Sequence, residues 1–256
     1  PRAKELERRV ILSQYIMRSN NTGEIPPPET GLVYNSWYGR PHLEMHWWHS
    51  VHHALWGHPE LLEKSMGWYK DAAYSPAKSI AARQGFDGVR WMKMTDNWAG
   101  EAPSSVGSFL IWQQPHFIYF AELLYRANPT PETTDKYKTL VFETAKCMAS
   151  FVTYDAANDR YLLKGYIPAQ ETLGATETVT SPFELAYWHW GLSTAQRWRE
   201  RACLGREPEW DHILPKFIFG IEITSVSVAR IKRNATVFRT IVFRVACPLM
   251  HIGSIE

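Results

Sequence analysis

From Arg2 to about residue 215 the apolar residues recur at helical spacing, and no segment alternates apolar with polar residues as a half-buried strand does. Prolines and glycines cut this span into successive long helices, which restricts it to an all-α fold. Residues 2–18 read as a first helix, with Leu6, Val10, Ile11, Tyr15 and Met17 gathered toward one side. Asn20 to Thr30 reads as loop, because Asn-Asn-Thr-Gly followed by three prolines cannot continue a helix. A second helix is expected from near Pro41 to Gly57, and a third from Pro59 towards Gly85 with a break at Pro76. Residues 86–105 are loop-like, and residues 106–127 read as a strongly apolar helix interrupted by Pro115. Thr130 as cap and Pro131 at the first position open a helix to about Tyr154. Ser181-Pro-Phe-Glu184 is a capping box opening a last helix to about Leu204.

The character changes after Lys216. Residues 217–228 and 236–245 are rich in β-branched side chains, and the tail is basic. The chain therefore divides into an all-α domain over residues 1–215 and an atypical β-prone tail over 216–256.

Composition narrows the chemistry. The 12 Trp and 12 Tyr exceed what a generic core requires, which fits either helix packing or a ring-stacking cleft. A net charge of +2 with no basic stripe argues against nucleic acid. No apolar run approaches a membrane span. Cys147, Cys203 and Cys247 are odd in number and widely spaced, so neither a disulfide framework nor a cysteine zinc site is indicated. The chain starts at Pro1 rather than Met, which reads as a start that is not the native one and leaves localisation open. The sequons at Asn20 and Asn234 matter only in a secreted protein.

The densest chemistry lies in Asn35-Ser-Trp-Tyr-Gly-Arg-Pro-His-Leu-Glu-Met-His-Trp-Trp-His49. Flat aromatic faces beside hydrogen-bonding groups suit sugar rings. Glu44 falls in the first turn of its helix, either complementing the helix dipole or joining His42 and Trp47 in a sugar subsite. Six of the ten histidines lie between His42 and His58, and His46, His49 and His53 have spacings that fit a zinc site as well as helix packing. The His-Glu-x-x-His signature of a zinc protease is missing, so no metal or other cofactor is expected. The loop over residues 88–101 mixes Trp91 and Trp98 with Arg90, Lys93, Asp96 and Glu101, either as ion pairs or as ligand contacts. Gln113 and Gln114 sit in an apolar run and need partners, from the protein or from a ligand.

Glu171, on the loop Ile167-Pro-Ala-Gln-Glu171 ahead of the capped helix, is the candidate general acid; Glu177 competes with it in the same loop. A proton donor needs a partly apolar pocket to keep its proton near neutrality, and Tyr166, Ile167 and Pro168 are candidate walls.

In order and spacing these motifs resemble the six-hairpin (α/α)6 toroid glycosidases, in particular glycoside hydrolase families 65 and 95. In family 65 an aromatic-Trp-Asp-Thr-Glu helix start precedes a His-Pro-Glu turn; here His42-Leu-Glu44-Met precedes His58-Pro-Glu-Leu-Leu62. Gln84-Gly-Phe-Asp-Gly-Val-Arg-Trp91 and Gly100-Glu101 stand where that family has Gly-Tyr-x-Gly-Ala and Gly-x-Glu. Pro168-Ala-Gln-Glu171 ahead of Phe183-Glu-Leu-Ala-Tyr-Trp188 is similar to its catalytic-acid loop and to the Ser-Pro-Glu segment of family 95. The likeness spans about residues 5–215, and the tail after about Lys216 resembles nothing in these families; within the likeness there are further departures. His42 replaces the family's aspartate, and the chain supplies about half the expected helices, so the toroid reads as C-terminally incomplete.

The resemblance implies a glycosidase or phosphorylase that cleaves an α-linked oligosaccharide or glycoside with inversion, with water or inorganic phosphate attacking. Glu171 would be the general acid, and His42, Glu44, Trp47, Trp91, Lys93, Glu101, Gln113 and Gln114 the substrate contacts. An inverting hydrolase holds its two carboxyls roughly 6.5–9.5 Å apart; Glu44 and Glu101 are candidates for that distance from Glu171 but read first as substrate contacts, since the second carboxylate of the hydrolases lies in the late helices that this chain does not supply. The alternatives are a non-catalytic carbohydrate-binding protein with a degenerate cleft and a zinc hydrolase built on His46, His49 and His53.

Overall fold

The computed structural model describes residues 2–169 and 171–217. The β-prone reading of the tail therefore lies outside the described residues from position 218 onward. Within them the chain is mostly helical: α1 (Arg2–Asn21), α2 (Leu43–Leu55), α3 (Pro59–Glu63), α4 (Met66–Asp71), α5 (Tyr74–Arg83), α6 (His116–Ala127), α7 (Pro131–Phe151), α8 (Pro182–Arg201) and α9 (Pro208–Ile213).

The helix starts at Pro59, Pro131 and Pro182 form as expected, whereas Pro41 lies ahead of α2, which begins at Leu43. Thr130 caps α7 by accepting from the Thr133 amide at 3.2 Å, and Pro131 occupies the first turn, where no N–H is needed. Three expectations are corrected. The stretch from Pro59 towards Gly85 is three short helices rather than one, broken before Met66 and before Tyr74, while Pro76 is tolerated in the first turn of α5. Residues 106–115 are not helical; α6 begins at His116, after Pro115. A two-stranded antiparallel hairpin, β1 (Thr153–Asp155) with β2 (Arg160–Leu162), stands where only helix and loop were expected.

α6 sits at the centre. Every residue from His116 to Leu124 is buried, as befits a helix apolar on all sides. It packs against α2, α3, α7 and α8, and α7 lies along α8. Much of the tryptophan surplus is spent in this core. Trp68, Trp91, Trp188 and Trp198 are buried, and each indole N–H is satisfied: by Asn97 O at 2.8 Å, Thr144 Oγ1 at 3.0 Å, Met148 O at 3.0 Å and Glu122 Oε2 at 2.9 Å respectively. Gly88 lets the 86–105 segment press onto α7: its φ is +66°, and a Cβ there would meet Glu143 O at 2.0 Å.

Candidate functional site

The site forms where three segments meet: the start of α2, the extended stretch 91–95, and the loop 166–171. His42, the residue before α2, makes no side-chain cap. The amides of Leu43 and Glu44 instead donate to Lys93 O, at 2.9 and 3.5 Å, and His42 bridges Met94 as an antiparallel partner. The orphan donors of the helix start are thus satisfied by the segment that carries Lys93, which fixes Lys93 beside Glu44.

The third segment is pinned from two sides. Ile167 N donates to Phe109 O at 3.0 Å. Glu184, in the first turn of α8, accepts from Ala169 N at 2.8 Å and from the Ser181 hydroxyl. The capping box therefore works differently from its usual form: its acid reaches back to the loop that carries Glu171. Pro168 turns that loop, with Glu171 N donating to Pro168 O at 2.8 Å, and leaves Glu171 at φ +57°. A left-handed conformation at a residue with a Cβ is a strained one that the surroundings must impose.

Glu171 and Glu44 meet at Lys93. Lys93 Nζ lies 2.7 Å from Glu171 Oε1 and 3.2 Å from Glu44 Oε1. The Lys93 and Glu44 side chains are 7% and 8% exposed, whereas Glu171 is 35% exposed, so the cluster opens to solvent through Glu171. Burial raises the Glu44 carboxyl to about 7, against the pull of Lys93 and with a push from the charges of Glu171 and Glu29. Burial alone would lower the Lys93 ammonium; the Glu171 hydrogen bond and the two carboxylate charges outweigh it and raise Lys93 above the usual lysine range. Glu44 is thus poised to gain or lose a proton near neutrality while Lys93 stays charged.

Two rings border this cluster. The Trp37 ring centroid is 5.6 Å from Lys93 Nζ and 6.3 Å from the His42 ring. His42 is fully buried, shares a hydrogen bond at Nδ1 with Arg40 O at 2.8 Å, and leaves Nε2 without a partner among the described residues. Burial lowers its pKa, which favours neutral imidazole.

The other residues singled out from sequence lie elsewhere or are already occupied. Trp91 is 2% exposed, packs on Tyr69 and Phe117, and gives its N–H to Thr144; it is a core residue and offers no open ring face. Gln114 accepts from Trp91 N at 2.9 Å and donates to Val89 O at 2.7 Å. Gln113 Nε2 donates to Trp91 O and Leu110 O, leaving its buried oxygen without a partner among the described residues. Both amides serve the backbone of the irregular segments on either side. Arg90, 2% exposed, does the same by donating to Trp91 O at 2.7 Å and Leu110 O at 2.5 Å. Glu101 pairs with Arg83 and accepts from Ser108 Oγ at 2.8 Å. Trp47 is half-buried against Trp48 and Tyr119, one turn beyond Glu44. Glu177 is exposed.

The histidines divide in the same way. His46 uses both ring nitrogens in the core, with Tyr69 OH at 2.8 Å and Ser65 Oγ at 3.0 Å, while His49 Nε2 pairs with Glu29 O at 2.8 Å. Among the described residues no three His, Cys, Asp or Glu side chains gather as a metal site requires.

Trp37 and Glu184 are the site residues that residue types alone did not single out. Trp37 lay inside the aromatic stretch without a distinguishing mark. Glu184 was visible as a helix-capping acid, but its reach to Ala169 depends on the fold. No protein-family model matches this chain, and no curated protein matches it.

Proposed function

We propose that this chain belongs to a carbohydrate-processing enzyme that cleaves an α-linked glycoside with inversion, on a helical scaffold that is part of an (α/α) toroid of the six-hairpin glycosidase kind. One observation carries the reading. Glu171 and Glu44 converge on the buried Lys93 ammonium beside the Trp37 ring, so two carboxyls and a cation adjoin one aromatic side chain. In this reading Glu171, paired with Lys93 Nζ at 2.7 Å on the solvent side of the cluster, leaves that ion pair and takes up a proton from solvent before delivering it to the leaving oxygen. Glu44, His42 and Lys93 receive sugar hydroxyls, and Trp37 takes the role of ring platform that Trp91, buried in the core, does not fill.

A second reading has its own support. Lys93 Nζ lies 3.2 Å from Glu44 Oε1 and 2.7 Å from Glu171 Oε1, which holds these oxygens closer together than the roughly 6.5–9.5 Å with which an inverting pair makes room for water. A cluster neutralised in this way also suits a carbohydrate-binding protein without catalytic turnover. A panel of α-linked disaccharides, with and without inorganic phosphate and followed by proton NMR, separates the two. Cleavage with the β-anomer appearing first supports the enzyme. Binding without cleavage supports the second reading, and α-anomer as first product contradicts the inverting assignment.

A further inference from the structure

Beside the carboxyl cluster the chain presents two further rings in a way the core does not require. Trp37, Tyr38 and Gly39 form a 3-10 turn in which three successive residues have positive φ: +49°, +59° and +67°. Two of these carry a Cβ and rarely adopt this region. The turn spends this strain on outward presentation, since Trp37 is 51% and Tyr38 86% exposed. Its base is firmly tied. Pro28 bridges Pro41 across the loop neck, Gly39 N donates to Ser36 O at 3.0 Å, and Ser36 Oγ donates to Glu29 Oε2 at 3.2 Å. Thr30 Oγ1 closes the loop by donating to Tyr34 O at 2.7 Å. A strained turn on a fixed base holds its backbone in place before any ligand arrives, which lowers the backbone part of the ordering cost of binding.

Trp37 adjoins the cluster, and Tyr38 is the next residue of the same turn. Trp37 borders Lys93 and His42, as described above, and the buried His42 Nε2 beside it lacks a partner among the described residues. Tyr38 follows directly, farther out, with the Arg40 guanidinium 5.7 Å from its ring centroid. Each ring thus pairs an apolar face with a neighbouring hydrogen-bond donor, the combination that a pyranose with one C–H face and a rim of hydroxyls requires.

Resting on the glycosidase reading above, we propose that the Trp37–Tyr38 turn is an additional sugar-binding subsite, and that the substrate is a neutral oligosaccharide long enough to run from Glu171 across Trp37 to Tyr38. Each added unit gains a stacking contact until both rings are covered.

The test uses the full chain and neutral α-linked gluco-oligosaccharides from disaccharide to hexasaccharide. Binding to Glu171→Gln is measured by calorimetry, and cleavage by the unmodified chain as kcat/KM. The expected result is a rise of roughly three- to tenfold per unit that reaches a ring, followed by a plateau. Tyr38→Ala lowers affinity by a factor that grows with chain length, whereas Tyr38→Phe and Tyr38→Trp retain the gain. A Tyr38→Ala loss that is the same at every length, or no gain with length, overturns the subsite and leaves the glycosidase reading intact. Absence of both binding and cleavage across the whole series overturns that reading and the subsite with it.

Discussion

Glu44 in the first turn of α2 and Glu171 in the loop before α8 accept from one and the same ammonium, Lys93 Nζ, at 3.2 and 2.7 Å. The contact joins three segments that are distant in sequence. Its burial falls off on one side only, because Glu171 remains partly exposed while Lys93 and Glu44 do not. Removing the cation therefore affects stability and chemistry together.

Lys93→Met leaves two carboxyls facing each other without their counter-ion. Breaking a buried pair by deleting one partner costs about 3 kcal/mol or more, reduced here because Glu44 can take up a proton. Urea unfolding should show a lower midpoint at unchanged slope. Adding Glu44→Gln should restore part of the loss, and strict additivity of the two changes would contradict the cluster.

The pH dependence of stability carries a second signature. The Glu44 carboxyl is raised from 4.5 to about 7, so between those values the native state holds a proton that the unfolded chain has released. This contribution is fully present below the ordinary carboxyl range and is lost as pH rises through about 7, an effect on the order of 3 kcal/mol. His53 and His116, lowered by burial to about 4 and about 3, act with the opposite sign and weaken the fold as pH falls below the ordinary imidazole range. Both chains share these histidines, so the comparison isolates Glu44: as pH rises from the ordinary carboxyl range to about 7, the unfolding midpoint of the natural sequence should fall relative to that of Glu44→Gln. Equal slopes in the two would remove Glu44 as the cause.

The elements that were legible in the sequence are those specified by local backbone chemistry. Thr130-Pro131 and Ser181-Pro182 mark helix starts because the fixed φ of proline acts within the first turn, joined at Thr130 by a side-chain cap that Ser181 does not make. The segment 106–114 misled because its apolar pattern is that of a buried segment, while its backbone makes isolated turns at Phe109, Leu110 and Gln114 and gives Leu110 O to the Arg90 and Gln113 side chains. The short hairpin of β1 and β2 offers only three residues per strand, too few for alternation to show. For the site, residue type named Glu44, Lys93 and Glu171 as candidates but gave no sign that they share one contact. Composition likewise raised the possibility of a ring platform without distinguishing the buried Trp91 from the exposed Trp37.

Glu184 holds the catalytic-acid candidate indirectly, through Ala169 N and Ser181. Glu184→Ala should free the Ala169 amide at a cost of about 1–3 kcal/mol and lower kcat more than it raises KM. Glu184→Gln keeps an acceptor and should sit between the two. Hydrogen exchange at Ala169 is the direct readout, and unchanged protection in Glu184→Ala would refute the assignment.

Trp91 and Trp37 make a contrasting pair. Trp91→Phe loses the Thr144 hydrogen bond and core volume, so stability should drop by about 2–4 kcal/mol. Sugar affinity should stay nearly constant once the variant is folded. Trp37→Ala should leave stability within about 0.5 kcal/mol and weaken sugar binding. Parallel urea unfolding and calorimetry check both, and the reverse pattern would move the platform back to Trp91.

A proton donor is diagnosed most directly by its leaving group. Glu171→Gln should be compared with the natural sequence on α-glycosides whose leaving groups differ in their need for a proton. Cleavage of an alkyl glycoside or disaccharide should fall by roughly 10²–10⁴-fold, while cleavage of an activated glycosyl fluoride falls far less. An equal loss on both kinds of substrate, or no loss on either, would contradict Glu171 as the group that protonates the departing oxygen.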